Sequence, residues 1–149
     1  MADYLTARAA IATIIGAVTI TSPVTLSIAE MQETPTDGVA VQQCPAVVIP
    51  GYQLRYLRGP GGKRERLYTI SLRLAVRPAD GATTNAQLDA LKEAISSAFD
   101  AKVTLGLGSG YSVIEGPNWT QEEPLRDGGT VWDEGEILVA IKDTATISP

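Results

Sequence analysis

The residues best suited to chemistry surround a glycine-rich turn, RYLRGPGGKRER at residues 55–66, which holds five of the chain's twelve Lys and Arg. These five are Arg55, Arg58, Lys63, Arg64 and Arg66. A phosphate-binding loop needs the order G-x-x-x-x-G-K-[ST] followed by a helix, whose N-terminal N–H groups hold the phosphate. Counted back from Gly62-Lys63, the first Gly is replaced by Leu57, and the final Ser or Thr is replaced by Arg64. Because a strand pattern follows, the sequence does not predict a nucleotide site.

A second glycine-rich stretch, LGLGSGYS, holds Gly106, Gly108 and Gly110. A dinucleotide-binding fingerprint follows a strand and opens a helix. Here the glycines follow a helical pattern and precede a strand pattern, so we interpret the stretch as a connector.

Seven of the seventeen acidic residues lie within residues 115–136, which we call the acidic segment. They are Glu115, Glu122, Glu123, Asp127, Asp133, Glu134 and Glu136. Carboxylates can perform acid–base catalysis or bind a metal, but this spacing matches no calcium loop. We interpret the segment as a solvated loop, with a charged interface as the alternative.

The chain has no histidine, so the commonest general base and the commonest zinc ligand are both missing. No Ser or Thr has an evident base beside it, although Ser-Lys chemistry stays open. The single cysteine, Cys44, excludes an intrachain disulfide, and the apolar run after Pro45 favours a small buried side chain over a nucleophile. We therefore expect a protein that is not an enzyme, with no metal or cofactor.

Length and charge narrow the class of protein further. The 149 residues with 44% hydrophobic content fit one domain spanning residues 1–149. The net charge of -5 disfavours a general nucleic-acid-coating protein. The apolar N-terminal stretch LTARAAIATIIGAVTI is shorter than the ~20 residues that span a bilayer, and MADY lacks a basic leader. We expect a soluble protein made inside the cell, with no membrane partner.

Hydrophobic periodicity predicts the elements in the first half of the chain. Asp3 is predicted to cap a helix over residues 4–16, and residues 18–28 alternate as an extended chain does. Residues 46–57 open with an apolar run that Pro50-Gly51 interrupts, and from Tyr52 they alternate apolar with polar side chains. Residues 68–76 alternate across the GPGG turn, so the two runs predict a long β-hairpin. We call this element the basic hairpin.

The second half reads as a helix followed by two strands. Thr84 and Gln87 form a capping-box pattern that predicts the start of the helix. Lys92 is predicted to lie on the solvent-exposed side of this helix. The apolar face of this helix comprises Leu88, Leu91, Ile95, Ala98 and Phe99. Residues 111–119 and 137–142 are predicted strands, joined by a long acidic loop. The fold class expected is α+β, a mainly antiparallel sheet with a long β-hairpin and helices packed on one face.

A basic hairpin and an acidic segment in one small domain suggest a head-to-tail contact between copies, which closes into a ring if the rotation fits. Charge complementarity would set the register of that contact. The candidate interface residues are Arg55, Arg58, Lys63, Arg64, Arg66, Glu122, Glu123, Asp127, Asp133, Glu134 and Glu136.

The order of elements resembles that of the tail terminator (tail completion or neck) proteins of long-tailed bacteriophages. The matching features are the N-terminal helix, CPAVVIPGYQLRY, the basic turn, RERLYTISLRLAVRP, the helix NAQLDALKEAISSAF and the closing strands. The resemblance runs from about Leu5 to Asp143 and is weakest over residues 17–43.

The resemblance implies a hexameric ring that caps the tail tube, ends its growth and joins it to the head-side connector or stopper protein. Phage DNA would pass through the ring without sequence-specific binding, and an acidic channel lining would keep it from sticking. The family offers no catalytic residues, and it implies a virion protein made in the host cytoplasm. Two alternatives stay open: another neck tier, such as a head-completion, stopper or tail-tube-like protein, and a non-viral module that binds nucleic acid or an acidic partner through the basic hairpin.

Overall fold

The computed structural model describes residues 3–35, 41–58, 63–78, 81–119, 125–127 and 129–146. The helices are α1 (Tyr4–Gly16), α2 (Gly81–Ala98) and a short 3-10 helix (Val41–Gln43). The strands are β1 (Thr19–Ile20), β2 (Leu26–Ser27), β3 (Glu30–Gln32), β4 (Ala46–Val48), β5 (Tyr52–Arg58), β6 (Lys63–Val76), β7 (Tyr111–Trp119), β8 (Leu125–Asp127) and β9 (Thr130–Thr146). The predicted α+β class, with a mainly antiparallel sheet and a long hairpin, is confirmed.

Two long antiparallel strands, β6 and β9, form the centre of the main sheet. β4 and β5 lie end to end along one side of β6, separated by Pro50-Gly51. β7 and β8 pair with the other side of β9. β3 joins β4 in parallel and covers the outer edge of that strand, while β1 and β2 form a small separate sheet. The extended chain predicted for residues 18–28 is thus two short strands.

The basic hairpin forms as predicted, with β5 pairing β6 from Tyr52↔Ile70 to Arg58↔Arg64. Its alternation is also confirmed on one face of β6. The side chains buried there beneath the helices are Tyr68, Ile70, Leu72, Leu74 and Val76. Each fully buried aliphatic side chain contributes about 1.5–3 kcal/mol of hydrophobic stabilisation, so this face of β6 is a large part of the core.

Helix α1 begins at the predicted cap. The Asp3 carboxylate accepts a hydrogen bond of 2.7 Å from the backbone N–H of Thr6. This hydrogen bond lowers the pKa of Asp3, so the cap is fully formed above the ordinary Asp range and is lost as pH falls through the lowered pKa. The side chains that this helix buries in the core are Ala7, Ile11 and Ile15.

Helix α2 begins at Gly81, three residues before the predicted cap, so the prediction that Thr84 caps the helix is wrong. Thr84 is instead a buried residue of the first turn. The predicted apolar face is confirmed, with Leu88, Leu91, Ile95 and Phe99 buried against the sheet.

Strand β9 begins at Thr130 rather than at the predicted Ile137. Residues 130–136 therefore belong to the central sheet, and the prediction of a long acidic loop is wrong for this part of the acidic segment. The period-2 burial pattern of β9 continues without a break from Val131 to Val139, and Gly135 makes room for the ring of Trp119 on β7.

Candidate functional site

The most accessible strand of the described chain is β5, in which all seven residues are exposed. Tyr52 is 48% exposed and Tyr56 is 54% exposed. Within the described residues, β6 is the strand that pairs with β5, and the register between them has no bulge. A regular, uncovered edge strand is a template for pairing with another chain, and natural monomers usually block such edges. We therefore treat β5 as the core of the candidate interface.

The face of β5 that points toward α1 is aromatic. Register places Tyr52, Leu54 and Tyr56 on one side, with Leu54 opposite Tyr68. The ring of Tyr4 on α1 lies 4.1 Å from the Tyr52 ring and 5.0 Å from the Tyr68 ring, measured between centroids. This stack ties the N-terminus of α1 to the base of the hairpin.

Positive charge borders the tyrosines of this stack. Burial raises the pKa of Tyr4 and of Tyr68, while the nearby Arg8 and Arg66 respectively act in the opposite direction. The Arg8 guanidinium lies 5.8 Å from the centre of the Tyr4 ring, within range of a cation–π contact. The stack therefore combines two tyrosines of raised pKa, Tyr4 and Tyr68, with positive charge at its border.

The opposite face of β5 carries Gln53, Arg55 and Leu57, and it lies on the side of the sheet that points away from the helices. An open groove of about 540 Å³ runs beside it. The groove is lined by Gln53, Leu54, Arg55, Leu67, Thr69 and Leu138. A positive charge thus stands beside a partly apolar floor, a combination suited to a ligand with both carboxylate and aliphatic groups.

Three of the predicted basic residues have described side chains on the hairpin, Arg58 and Arg66 on one face and Arg55 on the other. Arg55 and Arg58 lie on β5 and are exposed, and Arg66 lies on β6 opposite Tyr56. Lys63 and Arg64 follow the turn on β6, but their side chains, like residues 59–62 of the turn itself, lie outside the described residues.

Asp133 does not lie on the surface, so its interpretation as part of a solvated loop is wrong. It is 1% exposed, on the face of β9 that points toward α2. Its Oδ2 accepts a hydrogen bond of 2.8 Å from Lys92 Nζ, which also lies 3.5 Å from Asp89. The prediction that Lys92 lies on the solvent-exposed side of α2 is also wrong, because its side chain is mostly buried against Asp133. Asp133 cannot take part in a surface contact, because helix α2 covers it.

The remaining acidic candidates are dispersed. Glu134 forms an ion pair of 3.3 Å with Arg73, whose guanidinium lies 4.4 Å from the centre of the Trp132 ring. Glu136 is exposed. Glu122, Glu123 and the side chain of Asp127 lie outside the described residues. Among the acidic candidates with described side chains, Glu136 is thus the one that is exposed and forms no ion pair with another described residue.

The sequence did not reveal that the aromatic face of β5 is exposed. Tyr52, Leu54 and Tyr56 alternate as the buried face of a strand does, and that pattern alone predicts a covered face. The signal that could have shown otherwise is Pro50-Gly51, which moves the chain from β4 to β5 just where the cover by β3 ends.

A metal site, a reactive cysteine and a membrane-spanning helix find little support in the residues described. No group of three or more Cys, Asp or Glu is placed there to hold a metal ion. Cys44 is buried as predicted, and this burial raises the pKa of its thiol, which keeps it protonated and weakly nucleophilic. In the same ranges, neither long helix has the length and hydropathy to cross a bilayer.

No model of a known protein family matches this chain, and a search of curated proteins gives no significant match.

Proposed function

We propose that this chain is a structural protein of the neck of a long-tailed bacteriophage. It forms a hexameric ring that caps the tail tube, ends its growth and joins it to the head-side connector. The observation that carries the proposal is the uncovered β5 edge with its tyrosines and arginines. Tyr and Arg dominate protein interfaces, and an exposed surface of this kind on a small domain indicates a partner.

The neck role comes from the order of elements, which resembles that of tail terminator proteins over most of the chain. The ring assembles in the host cytoplasm and stays in the virion, where DNA passes through it without sequence-specific binding. Its contacts are heterologous, because the basic hairpin of one subunit meets a different surface of the next. No catalysis, metal or cofactor is needed for this role.

Loss of the protein should leave tails of uncontrolled length. Tube subunits add until a cap blocks the growing end, so a missing terminator removes the stop. Electron microscopy of tails made without this protein should show a broad length distribution and no attached heads. Tails of normal length that merely fail to join heads would point instead to another neck tier.

Reversal of charge at the end of the hairpin should break the ring. The double substitution Arg64→Glu and Arg66→Glu places negative charge where positive charge sets the subunit register, so native mass spectrometry should show monomers instead of oligomers. The control is Lys102→Glu, a single charge reversal at an exposed site after α2. An oligomer that survives the double substitution contradicts the role of the hairpin in the ring.

A second candidate function is supported by one specific observation. Tyr52, Tyr56 and Arg58 lie on the same face of an exposed strand, and aromatic side chains beside a basic one also suit single-stranded nucleic acid. A monomer that binds an oligonucleotide with steep salt dependence would favour this module over the neck protein.

A further inference from the structure

We propose that the outer edge of β5 binds an extended acidic segment of a different protein, which joins the sheet as an additional strand. The proposal concerns the monomer and holds whether or not copies of the chain form a ring. It identifies the partner by its chemistry: a backbone in strand conformation, carboxylates on one face and apolar side chains on the other.

The geometry of β5 suits strand addition. Its seven residues pair with β6 in unbroken register, so the strand is straight over about 23 Å. In an antiparallel sheet the backbone groups of alternate residues point to the side away from the partner strand. β3 covers β4 but ends before β5 begins, so within the described chain the sheet has room for a strand here. Strand addition draws its affinity from such backbone groups and its specificity from alternate side chains.

The side chains of β5 define what the added segment must carry. On the face pointing away from the helices, Arg55 stands beside the groove floored by Leu67 and Leu138. A carboxylate opposite Arg55 would form a charged cross-strand pair, which is favourable. On the other face, Leu54 and Tyr56 offer apolar and aromatic surface. The partner therefore alternates acidic and aliphatic residues.

A second copy of this chain is a poor strand partner. Symmetric antiparallel pairing of two β5 strands centred on Arg55 would place the two Arg55 side chains opposite each other, and directly opposed like charges destabilise a sheet. The opposite edge strand, β7, is interrupted by register shifts at Val113/Glu115 and Glu115/Asn118. Pro117 within it also lacks the N–H that a ladder requires. The ring contact and the strand addition are therefore different interactions.

The test uses a synthetic eight-residue peptide of alternating glutamate and valine, titrated into the full chain and followed by amide NMR. We expect saturable shifts centred on residues 52–58, with a Kd below about 1 mM. A peptide with lysine in place of glutamate, and a glutamate peptide N-methylated at alternate residues, should both bind at least tenfold more weakly. Equal binding of the lysine peptide would refute the charge requirement, and equal binding of the N-methylated peptide would refute strand addition.

Variants localise the site. Arg55→Glu combined with Arg58→Glu changes two exposed residues and should weaken the glutamate peptide at least tenfold, while Lys102→Glu should leave its binding unchanged. Absence of shifts in β5, or tighter binding there of an oligothymidine than of the peptide, would overturn the proposal. Shifts in β5 that appear on raising the protein concentration alone would assign the edge to a second copy. A failure of the ring prediction at Arg64 and Arg66 would leave peptide binding by the monomer intact, so the two proposals fail separately.

Discussion

Replacing Lys92 with methionine should lower the free energy of unfolding by about 3–5 kcal/mol, measured by urea denaturation. The substitution leaves the Asp133 carboxylate buried without its counter-ion. Oδ2 loses the 2.8 Å hydrogen bond from Lys92, and among the described residues Oδ1 already has no hydrogen-bond partner. Asp133 is too short to reach water from beneath α2, so the cost falls on the folded state.

The substitution of Asp133 and the double variant distinguish the contribution of the ion pair from that of each charge alone. Asp133→Leu should destabilise less than Lys92→Met, because the lysine is 15% exposed and its long stem can carry the ammonium to water. The double variant, Lys92→Met with Asp133→Leu, should regain most of the loss, since two apolar side chains need no partner. Glu134→Gln in the exposed Arg73 pair is the control and should change stability by less than about 1 kcal/mol. Additive losses in the double variant would show that the two charges are not coupled.

Much of the fold follows from the sequence, because several segments agree at every level. In β6, large apolar side chains alternate with Thr69, Ser71 and Arg73, and the structure buries the apolar set. In α1, the cap residue, the apolar stripe and the terminal Gly16 all predict the same ends. Such agreement between local propensity and tertiary burial is what makes a segment predictable.

The buried ion pair was missed because charge was taken as a sign of exposure. At 100° per residue, Lys92 lies about 40° from Leu88 and therefore within the apolar stripe of α2. Extending the period of Ile137 and Val139 backward along β9 likewise passes through Gly135 to Asp133. Both positions thus carried a geometric signal for burial. The local composition concealed this signal for burial at the start of β9, because five of the seven residues from Asp127 to Asp133 are polar or glycine.

The exposed edge of β5 could not be predicted from periodicity. The hairpin strands have similar alternation, yet among the described strands β6 lies between two neighbours, β5 and β9, whereas β5 pairs with β6 alone. Whether an alternating strand is covered depends on how many elements the rest of the chain supplies, which is a property of the whole topology. In the described chain, α1 contacts β5 through the rings of Tyr4 and Tyr52, yet all seven residues of β5 stay exposed. The arginines of the proposed interface were predicted from charge, whereas its aromatic side chains alternate as a buried face does.

A comparison of two leucines in the same hairpin should show that β5 is not part of the core. Leu72→Ala on β6 should lower the free energy of unfolding by about 2–5 kcal/mol, because the side chain is fully buried beneath the helices and its removal leaves a cavity. Leu57→Ala on β5 should cost only about 0.5 kcal/mol, because that side chain is already 44% exposed. Urea denaturation of both variants measures the difference.

In a binding experiment with the acidic peptide, Leu57→Ala should have a larger effect than Leu72→Ala, which is the reverse of their order in stability. Leu57 is one of four exposed large apolar side chains on β5, with Tyr52, Leu54 and Tyr56, and such a concentration on one strand indicates contact with another chain. Leu57→Ala should therefore weaken the acidic peptide while leaving the midpoint of unfolding nearly unchanged. A loss of stability as large as that of Leu72→Ala would instead make β5 an integral part of the core, and the exposed edge would no longer indicate a partner.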